Sequence, residues 1–553
     1  MTTTTAPRSM QQPAPLPAAG ALAGTGALLR FALRRDRIRI PVWLIAIGLG
    51  TVLSAQALAE LYGTDVQRQT VVDMVNTPAG LAFTGPAEYF LDYSIGAMVS
   101  HQVLGFMAIF VAIMSILMVV RHTRAEEEAG RAELLRAARV GRHAHLAAAL
   151  TLTAIVNAAL GLLVALGLVS LGADVLPWAG SLLYGAAHTA VGLTFACVAA
   201  VTVQITGYSK GASGMAIALV GGAYLVRAAG DSAGSVLSWA SPIGWAQQTL
   251  PYLDNRWWPL GLNLAIAAAA AILGFALSVR RDLGAGLRAA RRGRPTASGL
   301  LRTPWGFALR LHRGMLIGFG VAMLAAGIAY GPFLGDAEET FQDVPAIREA
   351  VAQIGGATFV DSFITMVMTV LAMLAAVYTV SATLRERSEE GSGRAEPVLA
   401  TWQSRNRWLR SHLMIALVGG PAMILLAGMA LAATGAPTLE GGGNLVGPTV
   451  GAAAVYIPAL WVMAGATVAL VGWFPRAAGL AWVPVAYAGV VGYLGPILQL
   501  PDWSDSLSPF GHTPRLPVDD ISWTPLLVMT LLAAALITVG MSGFRRRDLE
   551  TNG

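Results

Sequence analysis

Residues 124–133 read RAEEEAGRAE, and residues 387–396, 263 positions later, read RSEEGSGRAE. Seven of the ten aligned residues are identical. The repeated phrase is charged, whereas the chain as a whole has only 12% charged and 55% hydrophobic residues. Such a repeat in a largely apolar chain indicates that the charged phrase has a specific role at both positions.

The regions around the two phrases are long and apolar. Soluble domains are about 25% charged, so this composition, with a mean hydropathy of +0.61, indicates a protein dissolved in a lipid bilayer. Runs of about 17–25 mostly apolar residues can cross the bilayer as helices. Twelve are predicted, near 41–60, 97–120, 146–170, 178–206, 212–229, 259–279, 315–331, 362–383, 412–434, 447–473, 479–500 and 523–541. The predicted fold class is an all-α polytopic membrane protein.

The basic residues predict the orientation of these spans. If the N-terminus lies inside the cell, only five of the 37 lysines and arginines fall in outer loops, and the other 32 fall in inner loops or tails. Such a bias follows the positive-inside rule. We therefore expect a multi-pass protein of the bacterial plasma membrane with both termini in the cytoplasm. The basic pI of 9.7 then reflects topology, and no nucleic-acid partner is expected.

The duplication extends beyond the opening phrase. Further pairs recur at similar spacing: FALRRDR at 31–37 with FALRLHR at 307–313, RRDL at 280–283 with RRDL at 546–549, and Lys210 with Arg476. Self-similarity at a fixed period is the signature of a repeated structural unit. With six spans in each unit, both copies enter the membrane in the same orientation, so a pseudo-twofold axis along the membrane normal is expected.

This organisation predicts four segments. Residues 1–27 form a disordered cytoplasmic tail rich in Thr, Pro and Ala. Residues 28–285 form the first six-helix half, 286–298 a cytoplasmic linker, and 299–553 the second six-helix half.

Each charged phrase follows the second span of its half and is predicted to lead into a short helix. Pro397 follows the second GRAE directly, and proline is tolerated mainly in the first turn of a helix. Glu133 and Glu396 would then lie at helix N-termini, where a carboxylate meets the positive end of the helix dipole. Gly130 and Gly393 would allow a sharp turn into that helix.

These phrases resemble the coupling-helix signature E-x-x-G-x-x-E-x-L of ABC-2-type exporter permeases. The first copy matches it at Glu127, Gly130, Glu133 and Leu135; the second has Glu390, Gly393 and Glu396 but departs from the x-L pattern at Pro397. The fused twelve-span layout is most similar to actinobacterial exporter permeases for polyether and polyketide antibiotics, the tetronasin type.

The resemblance implies a permease without an ATPase of its own. Two copies of a separate ABC ATPase would dock on the two coupling helices and bind ATP and Mg, while this chain binds no cofactor or metal. It would expel hydrophobic or amphipathic compounds such as antibiotics. The residues expected to couple it to the ATPase are Glu126, Glu127, Gly130, Arg131, Glu133, Leu135, Glu389, Glu390, Gly393, Arg394, Glu396 and Pro397. Phe106 and Phe110, in the second span, are candidates for the substrate path.

Other interpretations remain open. The charged loops could be solvated topological anchors, although arginines alone would suffice for that and recurring glutamates and glycines are not needed. A proton-coupled multidrug transporter of the major facilitator type is the main alternative. It would use His101 or His188 as its proton site, since intramembrane ionisable groups are costly and usually functional. An enzyme acting on lipid or glycan would need the outer-loop acids, for example Asp519 and Asp520. The chain contains no G-x-x-x-x-G-K-[ST] phosphate loop and is not expected to be an enzyme.

Overall fold

The computed structural model describes residues 20–131, 140–282, 284–288, 295–335, 359–401, 403–439, 444–494 and 501–548. None of these residues belongs to a β-strand. Within them, eleven helices are long and apolar enough to cross a membrane. The predicted all-α polytopic membrane fold is therefore confirmed. The chain divides into two compact units, Met1–Arg292 and Gly293–Gly553.

Unit 1 contains twelve α-helices in its described part. They are α1 Thr25–Arg35, α2 Arg39–Leu61, α3 Asp65–Val75, α4 Pro78–Thr84, α5 Ile95–Val99, α6 Gly105–Arg121, α7 Arg124–Glu128, α8 Ala144–Ser170, α9 Trp178–Ile205, α10 Ser209–Ser232, α11 Pro242–Gln247 and α12 Pro259–Ser278. A π-helical turn, Ser100–Leu104, joins α5 to α6, so that 95–128 forms one long span.

Unit 2 contains ten α-helices in its described part. They are α13 Pro304–Tyr330, α14 Phe359–Thr383, α15 Arg385–Gly391, α16 Glu396–Leu399, α17 Arg405–Gly435, α18 Val446–Ala454, α19 Ile457–Trp473, α20 Trp482–Gly489, α21 Asp502–Ser506 and α22 Trp523–Arg546. A second π-helical turn, Val490–Leu494, follows α20.

Eleven of the twelve predicted spans correspond to these long helices. The exception is 479–500, where the structure describes α20 and the π-helical turn, and residues 495–500 lie outside the described part. Most of the predicted tail, 1–19, and the middle of the predicted linker, 289–294, also lie outside it. Helix α1 begins at Thr25, inside the predicted tail.

Helix α9 lies at the centre of unit 1 and packs against α6, α8 and α12. Helices α6 and α9 are largely buried, whereas α2 and α12 face outward over most of their surface. Glycines allow α8 and α9 to touch: a Cβ added to Gly185 would lie 2.1 Å from the carbonyl oxygen of Gly161. Small residues of this kind are the usual means of close helix contact in lipid.

Unit 2 is built from two tightly packed helix pairs, α13 with α17 and α19 with α22. Helix α14 packs against α17 and α19, and so links the pairs. In each unit the charged phrase directly follows the second long span. The buried helices of the unit therefore fix the position of its loop.

Candidate functional site

The two charged loops make the same left-handed turn. In unit 1, α7 ends at Glu128 and the chain turns at Gly130, whose φ is +73°. In unit 2, α15 ends at Gly391 and the turn lies at Gly393, with φ +71°. An L-residue with a side chain adopts this conformation only at a cost of about 1–2 kcal/mol. The sharp turns predicted at the two glycines are thus present.

The helix predicted after each turn can be followed only in unit 2. Helix α16 begins at Glu396 and has Pro397 in its first turn, as expected. Both side chains are exposed. The corresponding segment of unit 1, 132–139, lies outside the described residues, and with it Glu133 and Leu135.

The first glutamate of each phrase is buried and bound by two arginines. Glu126 is 4% exposed and accepts hydrogen bonds from Arg131 (Nε to Oε2, 2.8 Å) and from Arg35 of α1 (2.5 Å). Its counterpart Glu389 is 2% exposed and pairs with Arg394 (2.7 Å) and with Arg385 (2.8 Å). In both loops the arginine of GRAE therefore closes back onto the phrase that contains it.

The second glutamate of each phrase is held by an arginine from the far end of its unit. Arg281 donates to both oxygens of Glu127, at 2.8 and 2.7 Å. Arg547 donates to both oxygens of Glu390, at 2.6 Å each. Parallel two-point pairs of this kind are among the strongest and most directional charge-assisted hydrogen bonds. We refer to Arg281–Glu127 and Arg547–Glu390 as the two clamps.

The sequence had marked these arginines without assigning them a role. Arg281 and Arg547 are the second residues of the two RRDL phrases, recognised only as part of the duplication. Their recurrence at corresponding positions indicated that both arginines matter. The sequence could not predict their partners, because each arginine lies more than 150 residues from its glutamate.

Additional contacts anchor the loop of unit 1 to the neighbouring helices. Arg124 is fully buried, and its Nε donates to the carbonyl oxygen of Val203, near the C-terminus of α9, over 3.0 Å. Helix C-termini leave carbonyls unpaired and favour cations. Conversely, an anion lies at a helix N-terminus: the carboxylate of Glu128 accepts hydrogen bonds from the backbone N–H and the hydroxyl of Ser209, at the start of α10.

Each loop also has an exposed surface, formed in part by the arginine of its GRAE phrase. The side chains of Arg131 and Arg394 remain 53% and 55% exposed while they bind their glutamates. The hydrogen bond with Glu126 raises the pKa of Arg131, so the guanidinium stays charged. Each loop thus combines buried carboxylates with an exposed surface of fixed arginines, and in unit 2 this surface also includes Glu396 and Pro397.

The two candidates for the substrate path lie together on α6. The rings of Phe106 and Phe110 meet edge to face, with centroids 5.1 Å apart, and both side chains are exposed. They form a small aromatic surface near the start of α6.

The two histidines that a proton-coupled transporter would use, His101 and His188, are buried, and each forms hydrogen bonds. The side chain of His101, on the π-helical turn, contacts the hydroxyls of Thr84 and Tyr93 at 3.0 Å each. His188 lies within α9, with its Nδ1 3.1 Å from the carbonyl oxygen of Tyr184. The contacts of His101 join its turn to α4 and to Tyr93, whereas the hydrogen bond of His188 lies within α9 and its buried Nε2 has no partner among the described residues.

Comparison with known proteins gives a consistent result. The family described as "Multidrug efflux system permease Rv1217c, C-terminal domain" matches residues 28–277 and 301–545. A relative from Mycobacterium tuberculosis (strain ATCC 25618 / H37Rv), described as "Multidrug efflux system permease protein Rv1217c", is 39% identical over 535 residues. The alignment covers 95% of each chain.

Proposed function

Because the chain belongs to the family of multidrug efflux permeases similar to Rv1217c, we propose that it is the membrane subunit of an ATP-driven ABC exporter. It moves hydrophobic or amphipathic compounds out of the cell. Two copies of a separate ATPase subunit supply the energy and bind ATP and Mg. That the chain is a multi-pass permease in drug efflux follows from its family. Its similarity to tetronasin-type exporters is part of this proposal.

The two clamps are the observation that carries the proposal. A docking element that transmits force must be stiff and joined to the helices it moves. Each charged loop follows the second span of its unit, and the clamp ties it to the end of the last span, through Arg281 in unit 1 and Arg547 in unit 2. A solvated topological anchor needs neither buried carboxylates nor paired arginines. Two loops built alike also suit two identical partners.

The proposal divides the predicted coupling residues into two groups. The four buried or half-buried glutamates, together with the glycines, set the shape of the loops; they are Glu126, Glu127, Gly130, Glu389, Glu390 and Gly393. The exposed residues Arg131, Arg394, Glu396 and Pro397 form the contact surface. By family resemblance Glu133 and Leu135 belong to that surface as well.

The topology required by this proposal places both charged loops and both termini in the cytoplasm of a bacterial cell. The arginine distribution supports it. C-terminal fusion to a reporter that is active on only one side of the membrane tests it. A fusion active only outside the cell would contradict it.

The deciding experiment is a pull-down of the tagged chain from its native membrane in mild detergent, followed by an ATPase assay. We expect a second polypeptide at two copies per permease, and ATPase activity that is lost, together with efflux, in the double variant Glu133→Arg/Glu396→Arg. The matched control is Asp519→Arg/Asp520→Arg, which makes the same charge change in exposed residues of a predicted outer loop. It should retain both activities.

Two outcomes would overturn the proposal. Unchanged efflux in the Glu133/Glu396 variant, at normal membrane levels, would show that the loops do not couple transport to the ATPase. A lone chain with efflux but no associated ATPase would favour the secondary-transporter reading. His101 and His188 would then be the residues to substitute.

A further inference from the structure

A polar groove opens on the surface of unit 2 beside the second clamp. It has a volume of about 620 Å³ and lies between the start of α17 and the last turns of α22. Its walls are Asn406, Thr538, Met541, Ser542, Arg545 and Arg546. Among the described residues, the buried Oδ1 of Asn406 has no hydrogen-bond partner.

The positive charge of the two arginines of the groove is not paired with any acid that the structure describes. Arg545 and Arg546 are exposed, and neither forms an ion pair with any residue that the structure describes. Their neighbour Arg547 is instead committed to Glu390. Two adjacent guanidiniums without an ion-pair partner among the described residues, in a recess with hydroxyl groups, form a suitable environment for a phosphate, which arginine binds through paired N–H groups.

An apolar strip continues from this groove along α22, toward the N-terminus of that helix. Thr538 and Arg545 lie seven residues apart on one face of α22, and Leu531 continues that face by another seven. The side chains of Val528 and Leu531 are 58% and 70% exposed. From Arg545 to Leu531 the helix rises about 21 Å. Half the hydrocarbon core of a bilayer is about 15 Å thick, so the strip is long enough for one acyl chain.

We propose that this groove binds an anionic phospholipid, with its phosphate between Arg545 and Arg546 and one acyl chain along Val528 and Leu531. Basic recesses beside membrane helices are the usual sites for anionic headgroups. The two positive charges of Arg545 and Arg546 favour a lipid with net negative charge over a zwitterionic one. The inference does not depend on the ATPase partnership, because it rests only on residues of unit 2.

Lipid retention by the full-length chain tests the proposal. The chain is purified in detergent, incubated with phosphatidylglycerol or with phosphatidylcholine, washed, and analysed by native mass spectrometry. Wild type should retain at least one phosphatidylglycerol that phosphatidylcholine does not replace. Arg545→Gln/Arg546→Gln should weaken that binding roughly tenfold or more, since each basic residue near the surface contributes about a factor of five.

Two further variants separate the site from general charge and from misfolding. Arg310→Gln/Arg313→Gln removes the same charge from two exposed arginines of α13, outside the groove, and should bind phosphatidylglycerol like wild type. Ser542→Trp fills the groove without any change of charge and should lose the lipid. Arg545→Lys/Arg546→Lys should retain most of it.

Three results would overturn the proposal. Equal retention of the two lipids by wild type would exclude recognition of the headgroup charge. Equal losses in the two glutamine pairs would reduce the effect to net charge. Undiminished lipid retention in Ser542→Trp would place the lipid elsewhere; if this variant instead lost binding of an exported drug, the groove would belong to the cargo.

Discussion

The two charged loops, residues 124–131 and 385–399, share their inner connections and differ in their outer support. In both, the GRAE arginine binds the first glutamate and the RRDL arginine clamps the second. In both, a left-handed glycine makes the turn. The loops differ in the second arginine that binds the first glutamate. In unit 1, Glu126 is bound by Arg35, which belongs to α1. In unit 2, Glu389 is bound by Arg385, which belongs to the same helix, α15.

The chain before the first span explains this difference. In unit 1 the helix breaks after α1, and the buried Asp36 at the break accepts bonds from Arg121 (3.0 Å) and His122 (2.6 Å). In unit 2 the matching phrase runs inside the unbroken α13. There His312 takes the place of Asp36 and contacts His412 at 2.9 Å. The two units thus share the connection between the loop and the last helix and differ in the support in front of the loop.

The largest difference between the loops should appear when the clamps are cut. Arg547→Met leaves Glu390, whose side chain is 1% exposed, without its two-point partner, and the remaining Arg387 lies further away, at 3.4 Å. Removal of one member of a buried pair costs about 3–5 kcal/mol. Arg281→Met should cost less, about 1–3 kcal/mol, because Glu127 is 12% exposed and keeps Arg124 at 2.8 Å. Unfolding of the purified chain in SDS measures both losses.

Two controls accompany the clamp variants. Arg280→Met removes the exposed neighbour of Arg281 and should leave stability within about 0.5 kcal/mol of wild type. Glu390→Met/Arg547→Met removes both partners and should unfold later than Arg547→Met alone, since the buried carboxylate is removed together with its two-point partner. If the double variant were the less stable of the two, the clamp would not be the source of the loss.

A smaller effect should follow from the outer supports. Arg35→Gln removes a charged hydrogen bond to Glu126 and should cost about 1–2 kcal/mol. It also frees α1 from the loop, so hydrogen exchange should rise across residues 25–35. Arg385→Gln should raise exchange only within its own loop. Arg34→Gln, an exposed neighbour on α1, is the control. Unchanged exchange in α1 after loss of Arg35 would contradict this assignment.

An effect of similar size, equal in the two loops, should follow from substitution of the turn glycines. Gly130→Ala and Gly393→Ala should each cost about 1–2 kcal/mol locally, because a Cβ at either position meets no atom of a described residue within 4 Å and the cost comes from the backbone. Asn at these positions should cost less, since it tolerates the left-handed conformation. Gly214→Ala, in an open helical position, should not destabilise the chain. Proteolysis of the loops compares the variants, and unequal losses would mean that the turns are not equivalent.

The sequence was sufficient for eleven of the twelve predicted membrane helices and for the turns. Long apolar runs have few alternatives in a bilayer, where backbone groups must be paired within the segment. The turns at Gly130 and Gly393 were predictable because left-handed backbone favours glycine. These features depend on nearby residues, and local patterns record them well.

The clamps and the break after α1 were beyond such patterns. Nothing local says that Arg281 turns toward Glu127, and the burial of Glu126 depends on where α1 is placed. The near-identical phrases FALRRDR and FALRLHR give a broken helix in one unit and a continuous one in the other. A buried partner such as Asp36 decides between the two forms, and its contacts depend on the folded unit.

The clamps also impose an order on biosynthesis. Glu127 is held by a residue 154 positions further along the chain, and Glu390 by one 157 positions further. Since a chain is made from its N-terminus, each loop emerges long before its clamping arginine. It can take its final form only when the last span of its unit has been inserted. A partner that recognises the closed loop would therefore bind only completed units, and assembly would itself check that each half of the permease is whole.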